Sequence, residues 1–415
     1  PMDDLEALGL IKMDFLALET LTVLQRAVEM AEERTGEKIE VDNSLNDPKV
    51  YELLSSGNCI GVFQTESPGL RNLLIQMKPD KFDHIVDAIS LYRPGPLDMV
   101  DPDTDMTMVQ TYVRNKRKRM ENPDFKWEVA HPKLGPILEE TYGVVVYQEQ
   151  IMRITQDLAG YTMAQADTFR KVVGKKKLEE MDKLRPEFIA ACKEHSAIPE
   201  DVSLYIFEQL AAFARYGFNK AHAAAYSVVT YRTAWMKAYY PTEYLASLFT
   251  SGAGKPNFIE AKKLVEDCNV NKIPVIAPNI NTSDATSKSI NGVAIAAGLD
   301  LVKGLGSMAA KIVEGRPEGG FKSSEDAIEH LIEVGCSSGH MKALIYAGAL
   351  DDFGTRDQMM ANYEHMLPQI KQFKAREIEQ YSLIDSKYIM PISEAKVSFA
   401  DEIDYLGVYS KEKES

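Results

Sequence analysis

The apolar positions of this chain recur mostly at helical spacing, with only short stretches of alternation. Leu16 to Glu33 repeats apolar residues every three or four positions and contains no Gly or Pro, which predicts a helix. Pro48 to Ser56 predicts a second, with Pro48 in the first turn, where a missing N–H costs nothing. From Gly160 the pattern predicts a helix running to Val173, because Thr162 followed three residues on by Gln165 forms a capping box. Gly217 ends the helical run before it, Asn219 is a good N-cap, and neither Gly nor Pro follows until Pro241. Lys220 to Tyr240 therefore predicts one long helix, on which Asn219, His222, Tyr226 and Thr230 share a face. Phe258 to Asn269 is helical by the same criterion. Leu10 to Phe15 sets Ile11, Met13 and Phe15 against Lys12 and Asp14, the alternation of a half-buried strand. Ile273 to Ile280 and Gly292 to Ala297 read as short strands. The expected fold is mainly α with small β elements (α+β), with a domain boundary at Ser251-Gly-Ala-Gly-Lys-Pro256.

Composition narrows this picture in a few ways. A length of 415 residues suggests two to four domains, and 45% hydrophobic with 26% charged residues is ordinary for a soluble globular chain. No apolar run of membrane-spanning length and no signal peptide is apparent, which makes the cytoplasm the default. Four cysteines lie far apart, so neither a zinc site nor a disulfide framework is expected. The net charge of −15 argues against a generic nucleic-acid coat. It leaves room for an enzyme that confines cations to a groove and holds metal with carboxylates. The chain starts at Pro1 rather than Met and reads as a piece of a longer polypeptide or one half of a split gene.

Several stretches carry candidate chemistry. Alanines around His222 and Tyr226 leave the helix open to close approach by something flat or extended, and Lys220 at its start suits a phosphate or nucleotide. The competing reading is a core helix in which His222 and Tyr226 merely find hydrogen-bond partners. Arg170-Lys-Val-Val-Gly-Lys-Lys-Lys177 puts five positive charges within eight residues, suited to a polyphosphate. Arg114-Asn-Lys-Arg-Lys-Arg119 is the densest basic run, either a solvated face or a track for a DNA backbone. Arg93 precedes Pro94-Gly-Pro96, read as a rigid non-helical turn that presents the arginine to a phosphate or uses it to structure the loop. Val302-Lys-Gly-Leu-Gly-Ser307 and the following Met308-Ala-Ala-Lys-Ile-Val313 form a helix-hairpin-helix signature, whose glycines let backbone N–H groups approach a DNA phosphate.

Taken in order, these stretches resemble one family. Tyr216-Gly-Phe-Asn-Lys-Ala-His-Ala-Ala-Ala-Tyr226, then Tyr231-Arg-Thr-Ala-Trp-Met-Lys-Ala-Tyr-Tyr-Pro241, closely resembles the fingers of the bacterial replicative DNA polymerase III alpha subunit, the C family. Gly61-Val-Phe-Gln-Thr-Glu-Ser67, Leu91-Tyr-Arg-Pro-Gly-Pro96 and Thr141-Tyr-Gly-Val-Val-Val-Tyr-Gln-Glu-Gln150 resemble further segments of that family. Ala347-Gly-Ala-Leu-Asp351 is similar to the end of its tandem helix-hairpin-helix, and Leu406-Gly-Val-Tyr409 to a later Leu-Gly-x-Tyr segment. The resemblance implies the end of the palm over residues 1–28, fingers over 29–252, the helix-hairpin-helix part of a clamp-binding domain over 253–355, and its remainder over 356–415.

The resemblance also implies roles. Asp14, on the Lys-x-Asp-Phe-Leu segment, would be the third catalytic carboxylate and a ligand of Mg²⁺ in a two-metal site, with Lys12 near the triphosphate. The family's Pro-Asp-x-Asp-x-Asp motif, source of the other two carboxylates, is not found in this chain. Arg170 and Lys171 would face the triphosphate, although the family has Arg-Arg where this chain has Arg-Lys, which keeps the charge but loses a bidentate fork. Asn219, Lys220 and His222 would line the fingers side of the nucleotide pocket, while Lys303, Gly304, Gly306, Ser307 and Lys311 would hold duplex DNA. Gln380, Leu383 and Ile384 would form a short clamp-binding peptide, with Ile384 replacing the usual aromatic. Expected partners are primer-template DNA, deoxynucleoside triphosphates, the sliding clamp, the N-terminal palm and PHP-like portion of the polymerase, and other replisome subunits. Two alternatives stand beside this: a non-catalytic helix-hairpin-helix DNA-binding protein, and the lesion-tolerant branch of the same polymerase family.

Overall fold

The computed structural model describes residues 9, 17–98, 100–101, 104–174, 178–213, 216–252 and 258–374. They belong to two units, Val41–Ala238 and a second that joins the stretch up to Glu40 with that from Tyr239 onward. The first is almost wholly helical, apart from a two-stranded antiparallel ribbon of β1 (Val100–Asp101) and β2 (Met106–Thr107). Its helices are α2 (Pro48–Ser56), α3 (Pro68–Met77), α4 (Phe82–Leu91), α5 (Pro94–Asp98), α6 (Met108–Glu121), α7 (Leu134–Leu138), α8 (Gln148–Ala159), α9 (Met163–Gly174), α10 (Leu178–Ser196), α11 (Glu200–Phe213) and α12 (Lys220–Tyr239). Asp47 and Ser67 cap α2 and α3 with their side-chain oxygens, and each helix takes a proline at its start, as the missing N–H allows. The expected Thr162–Gln165 capping box forms in both directions, at 2.9 and 3.4 Å. Phe169, Phe188 and Phe207, from α9, α10 and α11, meet with ring centroids 5.4 to 5.9 Å apart and fill the core of this part.

Two expectations for this unit change. Pro94-Gly-Pro96 is not a non-helical turn but the opening of α5. Both prolines fall among the first residues of a helix, where no N–H has an intrahelical partner to lose. The basic run lies on α6 and is not uniformly solvated. Lys116 is buried, donating to the Lys78 carbonyl at 2.8 Å, and Arg119 pairs with Glu139 at 2.7 Å.

The second unit begins with α1 (Glu19–Thr35), which packs along α13 (Pro241–Gly252). Fully buried Glu243 of α13 is held by Arg34 at 2.6 Å and by Ser289 at 2.9 Å. After α14 (Phe258–Val270) comes a small sheet in the order β3 (Val275–Ile276), β5 (Ala294–Ala296), β4 (Lys288–Ile290). β3 runs parallel to β5 with Val275 opposite Ile295, and β4 antiparallel with Ser289 opposite Ile295. The two expected strands are present but shorter. β4 was not expected, because Ser287 to Ile290 carries no clear alternation.

The remaining helices are α15 (Met308–Glu314), α16 (Ser324–Glu333), α17 (Ser338–Tyr346) and α18 (Arg356–Lys374), closed over Leu305, Ile312, Ile328, Leu331 and Leu344. The four cysteines form no disulfide. No helix among the described residues is long and apolar enough to cross a membrane.

Candidate nucleotide and DNA sites

In the helical unit the Tyr216–Lys220 stretch is stitched to the segment entering α8. The Phe218 amide donates to the Val146 carbonyl at 3.0 Å, and the Gln148 amide donates to the Phe218 carbonyl at 2.9 Å, a single parallel bridge. The Gln148 side chain joins three pieces. Its amide donates to the Gly217 carbonyl at 3.1 Å, while its oxygen accepts from Arg170 at 3.2 Å. Arg93 clasps the same stretch from the end of α4. It donates to the Ser90 and Tyr216 carbonyls at 2.7 and 2.6 Å, and its guanidinium lies 4.4 Å from the Phe218 ring centroid. Gly95 is needed here, since a Cβ would stand 2.1 Å from the Tyr216 ring. Of the two roles open to Arg93, the structure gives it the loop-structuring one.

The face expected on α12 is built. Asn219 caps the helix by accepting from the His222 amide at 2.8 Å. The rings of Phe218, His222 and Tyr226 follow one another at 5.8 and 4.5 Å, Tyr226 stacks on Phe63 at 5.7 Å, and Thr230 donates to the Phe63 carbonyl at 3.1 Å. Asn219 and His222 are exposed and Tyr226 half-buried, so the row ends open to solvent.

Arg170, Lys171 and Lys220, three of the cations expected to meet phosphate, each have protein partners. Arg170 and Lys171 share Asp167, each at 2.7 Å, and hold its carboxyl below the usual range, the Lys171 ammonium contributing most. Arg170 is 22% exposed and Lys171 59%. Lys220 is partly buried, which lowers its pKa, but Glu140 at 2.5 Å outweighs this and keeps it raised. Its backbone amide donates to both carboxyl oxygens of Glu149 at 3.1 Å. The helix N-terminus that suits an incoming phosphate is thus closed by Glu149 and Asn219, so an anion entering there must displace a carboxylate. Glu140, Glu149, Gln148 and Asp167 carry this network, and sequence reasoning did not single them out. The Gly-Phe-Asn-Lys and Tyr-Gln-Glu-Gln motifs were both noted, but nothing local told that they pair.

In the second unit Val302-Lys-Gly-Leu-Gly-Ser307 forms a hairpin between a single 3-10 turn (Leu299–Leu301) and α15, so the helix expected before it is only that turn. Buried Leu305 anchors the loop, its amide donating to the Val302 carbonyl at 3.1 Å. Gly304 and Gly306 have φ of 83° and 47°, and a Cβ on either would meet nothing within 4 Å. Lys303, Gly304, Gly306, Ser307 and Lys311 are all exposed. A second hairpin between α16 and α17 turns at Gly335, φ 93°, and starts with a Ser337–His340 capping box. Lys12, Asp14, Lys175 to Lys177, Gln380, Leu383 and Ile384 lie outside the described residues. Among those described, no three His, Cys, Asp or Glu side chains converge to hold a metal ion.

Comparison with known proteins finds one match mostly in the helical unit and one in the unit that holds the glycine hairpin. The bacterial DNA polymerase III alpha subunit finger domain matches residues 20–196, and a helix-hairpin-helix motif family matches residues 272–359. The chain is 39% identical, over 98% of its length, to the DNA polymerase III subunit alpha of Thermus aquaticus, of which it covers 33%. It is 41% identical over 84% of its length to that of Aquifex aeolicus (29% of that protein), and 36% over 86% to that of Escherichia coli K12 (31%). The chain carries a DNA polymerase III alpha subunit finger domain, and it spans about a third of the length of these relatives.

Proposed function

We propose that this chain serves template-directed DNA synthesis as part of a replicative DNA polymerase III alpha subunit. The observation that carries this reading is the similarity to such subunits along 98% of the chain, through finger and helix-hairpin-helix modules in order. The reaction is attack of a primer 3′-hydroxyl on the α-phosphate of a deoxynucleoside triphosphate, releasing pyrophosphate. Residues 1–28 act as the end of the palm, 29–252 as fingers, 253–355 as the duplex-holding part of a clamp-binding domain and 356–415 as its remainder. The family's chemistry depends on metal, here Mg²⁺, which would be held by Asp14 with carboxylates outside this chain and would stabilise developing charge on the phosphates. Arg170 and Lys171 receive the triphosphate by exchanging Asp167 for it, an exchange favoured because the nucleotide carries more charge than one carboxylate. Asn219, Lys220 and His222 line the fingers side of the pocket.

The test is complementation. This chain alone should show no nucleotide incorporation on a primed template, and joining it to the upstream part of a DNA polymerase III alpha subunit should restore incorporation. Strong duplex binding with no incorporation after joining would favour a purely DNA-binding role. Within the joined enzyme, Arg170→Ala is expected to raise the nucleotide concentration for half-maximal incorporation about tenfold, as expected for removing one charge-assisted hydrogen bond. Gly304→Val with Gly306→Val should weaken duplex binding instead. The positive φ angles strain any β-branched residue, and the side chains would stand where a phosphate approaches. Reversed phenotypes would show the two sites misassigned.

The clamp contact rests on Gln380, Leu383 and Ile384. A peptide this short should bind with a Kd on the order of micromolar, because ordering it costs entropy. Titration against the cognate sliding clamp should show affinity falling in a Leu383→Ala, Ile384→Ala variant; unchanged affinity removes the peptide from the contact.

A further inference from the structure

The helical unit contains a cleft of about 620 Å³ between α6, the 125–130 stretch and α11, apart from the Arg170 and α12 face. Its volume lies in the range of small-molecule and nucleotide sites. Its wall is apolar and aromatic, with Phe125, Val129, Leu210 and the 42% exposed Tyr205. Trp127 contributes an edge. Its ring is fixed by the Arg119 guanidinium, 4.8 Å from the centroid, and by Gly143, where a Cβ would meet the indole at 2.6 Å.

The charges around the cleft are sorted in a way that folding alone does not require. Of the five cations between Arg114 and Arg119, three have acidic partners: Lys116 with Asp80 at 3.7 Å, Arg117 with Glu121 at 3.7 Å, and Arg119 with Glu139 at 2.7 Å. The other two, Arg114 and Lys118, stand one helical turn apart and both line the cleft, joined by Lys126 from the facing stretch. Among the described residues none of these three has a carboxylate within 4 Å, in a chain of net charge −15. Like charges at this helical spacing repel. Among the described residues Glu128 is the one acid lining the cleft.

We propose that this cleft binds single-stranded DNA, one unpaired base entering against the apolar wall while the flanking phosphates lie on Arg114, Lys118 and Lys126. Aromatic surface beside a cationic track is how single strands are held without sequence readout. The cations are distributed over a helix and a facing loop. That spread suits the separate phosphates of a strand better than the clustered charge of one triphosphate. The inference does not rest on the roles given to Arg170 or the hairpin glycines.

The experiment uses the full 415-residue chain with Trp235→Phe, which leaves Trp127 as its single indole. A short oligothymidylate should change Trp127 emission on titration. Arg114→Glu with Lys118→Glu should weaken that binding at least about tenfold, and should lower the slope of log affinity against log salt by about 0.7 for each phosphate no longer neutralised. Tyr205→Ala, at an exposed position, should weaken binding without changing the salt slope. Unaltered affinity in the folded Arg114/Lys118 variant, or an equal response to deoxythymidine triphosphate alone, overturns the proposal.

Discussion

Asp14→Asn, introduced into the complete polymerase, is expected to lower incorporation by about a thousandfold or more while leaving primer-template binding nearly intact. In the sequence Asp14 and Lys12 alternate with Ile11, Met13 and Phe15, the pattern expected of a strand with one polar side. An amide has nearly the carboxylate's shape but none of its charge. The change therefore spares packing and removes what would hold a divalent cation. Duplex binding should survive, because the groups assigned to it belong to the glycine hairpin around Gly304 and Gly306. The measurements are single-turnover incorporation and anisotropy of a labelled primer-template, run on the same preparation. Turnover near wild type removes Asp14 from the chemistry. Equal loss of both activities points to a folding defect.

What could be read from the chain is what local interactions decide. Thr162 with Gln165 and Asn219 with His222 are contacts three residues apart, so the sequence holds the whole interaction, and the helices starting there were placed to within a residue or two. The shared face of Asn219, His222, Tyr226 and Thr230 followed from helical period alone. Long-range partners decided the rest. Lys220 stood out as a phosphate ligand because nothing near it is acidic, yet Glu140 and Glu149 meet it from more than seventy positions away. Lys116 read as one more exposed cation of a basic run, and packing buried it. Pro94-Gly-Pro96 read as a turn because proline usually breaks helices, and here both prolines fall in the turn that tolerates them. The chemistry assigned to Asp14 came from family resemblance rather than from any local pattern.

A second large effect is expected from Asp87, which lies on α4 and is buried. Tyr112 and Tyr147 each donate a hydroxyl hydrogen bond to one of its carboxyl oxygens. Burial pushes its pKa up to about 7 against the pull of those two donors, with Asp83 and Glu140 adding repulsion. The folded state therefore keeps a proton that the unfolded chain releases near pH 4. Stability from this group is complete below that pH and is lost as pH rises toward 7. Neighbouring His84 works in the opposite sense. It is held neutral down to about 2 by burial, then by Lys116 and Lys81, so it adds stability as pH rises toward its ordinary value. The two partly cancel, which makes the difference between variants the proper readout. For Asp87→Asn, an amide that cannot ionise, wild-type stability relative to the variant should fall by about 1.4 kcal/mol per pH unit between about pH 4 and 7. Asp87→Ala should cost about 3 kcal/mol at pH 5, since it leaves two buried phenols without an acceptor. Tyr147 precedes α8, whose Gln148 and Glu149 hold Gly217 and Lys220, so the alanine variant should also loosen the face of Asn219 and His222. Urea titrations across this pH range, on wild type and both variants, supply the numbers. A pH-independent difference between wild type and Asp87→Asn would mean that Asp87 ionises as freely in the fold as in the unfolded chain.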